Sequence, residues 1–320
     1  MRQIAVFAGV LLAGASAFAA DSQLLNLVMP NAQVMAGVNV TTAEGSPLGQ
    51  YLLAQVGSND KGLQGFIAAT GFDPRKDVAE ILVASPGNSA SPSGLILAKG
   101  TFDVMTITAA VSNGTRQQVS AYDGYPLITS TDPKANHALA FIGNSIALAG
   151  DVTSVKVALD QSSGVNSVDP ALAALVQSLS TSEDAWSASI ASLGSLLPAG
   201  AATQNGNAAQ ILQLVKNIQS SSGGVQFGPN VVFNGQAVAD TPQDAAAVAN
   251  LIGMVSALVS MGAAQNPQTG AAAQLLQNLQ VTTTGATVNL AASIPEAQIE
   301  AALKSVSAHN SAEKPKTRRL

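Results

Sequence analysis

The chain has 320 residues, no cysteine, 47% hydrophobic residues and only 10% charged ones. Without cysteine there are no disulfides, no thiol chemistry, no cysteine-ligated metal and no residue to take a lipid at a lipobox. Acidic residues outnumber basic ones 19 to 14 and aromatics make up 4%, so a nucleic acid would find neither the positive charge nor the stacking groups it needs.

The first residues read MRQIAVFAGVLLAGASAFAADSQ. Arg2 is a short positive region, Ile4 to Ala13 an apolar run, and Ala17-Phe18-Ala19 a small-x-small cleavage pattern. This predicts a secretory signal peptide over residues 1–19, cleaved after Ala19, and a periplasmic or secreted protein. The final eight residues, EKPKTRRL, hold four basic groups and one acid, which predicts a disordered basic tail able to make weak surface contacts.

After the leader, Leu24 to Val28 reads as a short helix and Gln33 to Val40 as a strand. Ser46-Pro47 opens a helix through Leu52 and Val56, and a second helix carries Leu63, Phe66 and Ile67 and stops at Gly71. Asp73-Pro74 is a turn. Strands follow at Val78 to Ala84 and Leu95 to Gly100, joined by a Pro/Gly/Ser-rich loop, then a helix capped by Asp103. Strands at Arg116 to Tyr122 and Leu127 to Ser130 turn at Asp123-Gly124. The segment Ala138 to Leu159 reads strand, turn, strand, capped helix.

Asp169-Pro170 opens another helix, and Asp184 to Ile190 alternates as a strand around the single tryptophan, Trp186, expected in the core. Ala199 to Ala208 is a loose connection, Ile211 to Ile218 a helix, and Gly224 to Phe227 and Val231 to Ala239 are strands. Thr241-Pro242-Gln243-Asp244 starts a long helix whose apolar positions, Val248 to Val259, recur at helical spacing. Ala245 to Ala264 is uncharged over 20 residues, but its stripe points to a buried core helix and no membrane span. After a predicted helix at Ala271 to Leu279, the segment Leu279 to Val306 repeats strand, turn, strand, capped helix.

The order of elements therefore predicts an α+β protein of two similar halves, residues 20–165 and 166–306, ahead of the tail at 307–320. Each half is expected to hold an antiparallel sheet with helices on one face, the sheets joining if their edges meet.

Chemistry-bearing residues are few. His137 precedes a strand and His309 lies in the tail, so neither a histidine triad nor a metal site assembles. Ser58-Asn59-Asp60-Lys61 matches the spacing of serine–lysine acyl enzymes but follows a glycine at a helix end and lacks the downstream motifs. Asp73 with Asp77, and Glu183 with Asp184, are acidic pairs read as turn and strand-end residues. No phosphate-binding glycine motif is present. No catalytic, cofactor-binding or metal residue is predicted.

The runs GFDPRKDVAEILVA (Gly71 to Ala84) and Val231 to Ala302, the latter with its T-P-x-D-A and I-P-E helix starts, resemble segments of uncharacterised exported bacterial proteins of a domain-of-unknown-function family. That resemblance implies export and a duplicated α+β build, and no reaction. The expected role is a non-enzymatic envelope or extracellular protein binding a partner protein or an apolar small molecule. The alternative is an exported hydrolase using carboxylates or a serine from the loops Ser85 to Gly94 and Ala199 to Asn207.

Overall fold

The computed structural model describes residues 20–55, 61–88, 93–164, 167–196, 207–262, 273 and 276–312. The leader, Ser58 to Asp60, most of the loose connections and residues 313–320 lie outside that range. In chain order, α1 (Ser22–Asn26) leads into β1 (Val34–Asn39). Four helices follow: α2 (Val40–Glu44), α3 (Pro47–Gln55), α4 (Lys61–Thr70) and the single turn α5 (Pro74–Asp77). The hairpin β2 (Val78–Ser85) and β3 (Leu95–Gly100) precedes α6 (Val104–Ser112). Two hairpins, β4 (Gln117–Tyr122) with β5 (Tyr125–Ser130) and β6 (Ala138–Ile142) with β7 (Ile146–Gly150), end in α7 (Val152–Asp160). Next come α8 (Pro170–Ser182), β8 (Ala185–Ser189), α9 (Leu193–Leu196), α10 (Asn207–Lys216), β9 (Ile218–Gln226) and β10 (Asn230–Ala239). The chain closes with α11 (Pro242–Gly262), β11 (Gln280–Thr284), β12 (Thr287–Pro295) and α12 (Glu296–Ala312).

All of these strands join one antiparallel sheet of 12, in the order β11-β12-β10-β9-β8-β1-β2-β3-β7-β6-β5-β4. The expected α+β class with antiparallel pairing is present, and the sheet is continuous. The two halves of the chain meet in the sheet at the β1–β8 ladder, where Gly37 faces Trp186. A Cβ on Gly37 would lie 2.6 Å from the indole ring, so only glycine leaves room for it. The order β1-β2-β3-β7-β6 on one side matches β8-β9-β10-β12-β11 on the other, with β4–β5 extra in the first. The final helices differ: α7 packs on one face of the sheet and α12 on the opposite one.

The helices do not all lie on one face, and here the expectation needs correcting. One face, called the front, buries Leu82, Leu97, Ala140 and Leu148 under α1, α7 and α8. The back face buries Val78, Ile128, Phe141 and Ala147 under α2 and α6, with Phe66 of α4 packed alongside. Consecutive residues such as Leu139, Ala140 and Phe141 therefore serve alternate cores. Such strands read as continuous apolar runs, because both sides are dry. Over β9 to β12 the helices do keep to the back, where Ala245 and Val248 of α11 and Ile299 of α12 pack. There the front-facing positions are Ser222, Asn234, Gln236, Asn289 and Ser293, a polar and uncovered surface.

Local chemistry explains most boundaries. Side chains of Asp21, Asp73, Asp103, Asp151 and Asp169 each accept an amide of the following turn, capping α1, α5, α6, α7 and α8. The unforeseen α2 is capped the same way by Asn39, whose side chain accepts Thr42 N–H at 3.0 Å. Strand β9 starts at Ile218, six residues before the predicted Gly224. Its Ser and Gly run has no apolar alternation, and it is held extended by ladders to both β8 and β10. Helix α12 runs to Ala312, beyond the predicted end at Val306.

Helix α11 departs furthest from expectation. It was predicted as a buried core helix, yet only 11% of its most apolar stretch is buried. Its first half packs through Ala245, Val248 and Ile252. Its 21 residues span about 31 Å, and it packs against β10, β11 and β12, but its second half is left uncovered. Met254, Val255, Leu258 and Met261 are left exposed there. By length and composition this helix could cross a membrane, the one such helix among the described residues.

Candidate functional site

Two hollows of opposite character flank the first-half sheet. The back-face hollow is an apolar cavity of about 240 Å³ between the sheet and α4–α6. Its wall is a row of four phenylalanines, half of the eight in the chain. Phe66 meets Phe72 edge-on at 6.2 Å between centroids, Phe72 meets Phe102 at 5.4 Å, and Phe102 meets Phe141 at 5.7 Å. Its floor is made by Ala98, Ala147 and Ala149, whose small side chains leave the space that larger residues would fill. Ile96, 47% exposed, stands at the mouth beside Val83, its cross-strand neighbour, 40% exposed.

The turn that carries Phe72 is held rigidly. Gly71 ends α4 at φ +74°, a conformation side-chain-bearing residues resist. Asp73 then accepts two bonds from the Arg75 guanidinium, at 2.8 and 2.7 Å, and its own N–H donates to Asp77 Oδ2 at 2.7 Å. The guanidinium beside Asp73 holds its carboxyl below the usual range. Phe102 is pinned by its N–H donating to Asn144 O at 2.8 Å. The acidic pair Asp73 and Asp77 is thus occupied in shaping the cavity's rim.

The front-side hollow is a larger, open cleft of about 800 Å³ at the start of α7. Lys134, Asn136, His137, Asp151 and Ser154 line it, together with Ser93 and Gly94 from the β2–β3 loop. His137, expected on a surface or edge, is indeed exposed, but it shares this cleft with a serine and an aspartate. The hydrogen bonds run in the wrong order for a triad. Ser154 Oγ donates straight to Asp151 Oδ2 at 2.6 Å, with no imidazole between them. Asp151 also accepts Ser154 N–H at 3.0 Å and Gly94 N–H at 3.1 Å. Burial pushes its carboxyl up, but the Ser154 and Gly94 bonds outweigh that and hold it below the ordinary range. The carboxylate is spent on capping α7 and tying down the loop.

The other candidate residues have structural partners as well. Asp184 Oδ2 accepts Phe227 N–H at 2.6 Å, closing the end of β9. Glu183 lies over Gly224 and accepts from Asn234 Nδ2 at 3.2 Å; burial pushes its carboxyl up. Trp186 is 7% exposed, in the core as expected. Of the serine–lysine motif only Lys61, at the start of α4, is described, and the loop Ala199 to Gly206 lies outside the described residues. Among the described residues no cluster of three or more His, Asp or Glu could hold a metal ion. The phenylalanine row escaped the sequence reading because its members lie on separate elements, 75 residues apart from Phe66 to Phe141.

No protein-family model matches the chain, and no curated protein matches it. Among solved structures, crystal form III of TP0453 superposes with a TM-score of 0.53 at 8% identity, over 88% of this chain and 97% of that one. Crystal form I of TP0453 gives a TM-score of 0.49 at 11% identity, over 88% and 96%. The likeness is one of fold.

Proposed function

We propose that this chain is an exported, non-enzymatic binding protein that holds an apolar molecule in the back-face cavity. The observation that supports it is the cavity itself: four phenylalanines over an alanine floor, open past Ile96 and Val83. A packed core would close such a space, since interiors approach crystal density. At about 240 Å³ it is smaller than the roughly 300–1,000 Å³ of drug-sized sites. It suits a single hydrocarbon chain or one ring system, and its walls offer nothing to a charged head group, which would stay at the mouth. In the polar cleft the one carboxylate among the described residues, Asp151, is occupied by Ser154 and Gly94, which accords with binding in place of turnover.

Native mass spectrometry of protein purified from its own host tests this directly. A co-purifying lipid-like molecule is expected, together with saturable uptake of a fatty acid by the stripped protein. A clean apo protein that takes up neither fatty acids nor an apolar fluorophore would remove the proposal. A second reading is favoured by the exposed end of α11, where Met254, Val255, Leu258 and Met261 form a surface for an apolar partner. Leu258→Glu would abolish association with envelope components on that reading and leave cavity binding intact.

A further inference from the structure

We infer that cleavage after Ala19 creates a group the precursor lacks: an α-ammonium on Ala20 that pairs with Glu80 and fastens α1 to the sheet. The inference rests on the reading of an export signal cut at that bond. Ala20 is 9% exposed and belongs to the front-face core. The next amide, Asp21 N–H, donates to Glu80 Oε1 at 3.1 Å. Backbone bond lengths keep successive nitrogens under about 4 Å apart, so the Ala20 nitrogen lies within about 7 Å of the same carboxylate oxygen, in reach once the free end turns toward it. A chain that starts at Ala20 is also free to turn about its first ψ, with no leader behind it.

Charge makes the case specific. Three elements pack around Glu80, which sits on β2. Helix α1 brings the Asp21 carboxylate at its cap, β3 brings the Lys99 ammonium opposite Glu80, and β1 brings the neutral Asn39. Lys99 is paired to the Asp21 carboxylate. Two carboxylates and one ammonium leave one uncompensated negative charge, and it falls to Glu80. Burial is the first cause that pushes the Glu80 carboxyl up, and the nearby Lys99 ammonium, shared with Asp21, does not offset it. A peptide amide at Ala20, as in the precursor, supplies one neutral N–H. A terminal ammonium supplies three donors and the missing positive charge, and a half-buried carboxylate responds strongly to both. Leu24, Leu27 and Val28 follow directly and are almost fully buried, so the pair would anchor a whole segment of the front core.

The test uses the mature chain, made both by export from its own host and by cleavage of a tag that leaves Ala20 first. The pH dependence of acylation of the α-amine, read by mass spectrometry, gives its pKa. An ordinary α-amine titrates near about 7.7–8.0. The expected value is at least about one unit higher, which slows acylation at pH 7.5 by roughly sevenfold or more, and Glu80→Gln should return it to the ordinary range. N-acetylation of Ala20 should lower the melting temperature in the wild type and leave Glu80→Gln unmoved. An ordinary pKa in the wild type, or an equal effect of acetylation in both backgrounds, overturns the pairing. An exported protein whose intact mass places its first residue elsewhere overturns the processing step, and the tag-derived chain still decides the pairing.

Discussion

Glu296, the first residue of α12, caps a helix from the other half of the chain. Its Oε1 accepts the Leu48 N–H at 2.6 Å, across 248 residues of sequence. Glu296 is 8% exposed and Leu48 3% exposed, so water does not compete. Ser46 Oγ takes the neighbouring Gly49 N–H at 2.9 Å, and together they satisfy the start of α3. Glu296→Ala strands a buried donor and removes a charge-assisted bond, a loss of about 1.5–3 kcal/mol. Losing the carboxylate from the positive end of α3 adds about 0.3–1 kcal/mol. The expected destabilisation is therefore about 2–4 kcal/mol. Glu296→Gln keeps the acceptor and should lose about half of that. Urea unfolding at constant m-value measures the change, and hydrogen exchange at Leu48 and Gly49 localises it. A folded Glu296→Ala protein that loses under about 0.5 kcal/mol, with exchange at Leu48 unchanged, would refute the assignment of the cap.

Filling the cavity should end ligand uptake without unfolding the protein: Ala147→Leu puts three more carbons on its floor, and the fatty-acid titration should lose its saturable phase. Gly37→Val drives a side chain into the Trp186 ring, and overpacking of that kind costs about 1–3 kcal/mol. It should shift the tryptophan emission to the red. Asp151 has a folded-state carboxyl below its ordinary range, so its contribution is present above that range and is lost as pH falls through the folded value. Asp151→Asn should flatten the acid limb of a pH–stability curve. Glu183 has the opposite sign: burial raises its folded-state carboxyl, so stability falls as pH rises from the ordinary range through the folded value. Glu183→Gln should remove that fall and leave the protein more stable at neutral pH.

Local sequence was enough wherever one side chain decides a boundary. Asp103, Asp151 and Asp169 announce their helices because each carries the acceptor that its own first turn needs. The turns at Asp123-Gly124, Gly143 and Gly285 are legible for a similar reason, since the backbone there takes positive φ. Alternation marked β1 and β8 and set Trp186 inside. Residue counts alone ruled out disulfides and thiol chemistry.

Only the tertiary structure decided the rest, because those features depend on what lies opposite. Whether the opposite faces carrying Leu139 and Ala140 are both covered by helices is set by elements distant in sequence. The extended form of the serine-rich β9 comes from its two ladders, and Met254 and Leu258 are exposed because no described element covers them. Glu80, Asp21 and Lys99 meet by strand register, and Phe66, Phe72, Phe102 and Phe141 by packing across three layers of connection. A helix cap is a matter of a few bonds along the backbone. A cavity or a charge cluster is a sum over neighbours, and the chain chooses its neighbours only when it folds.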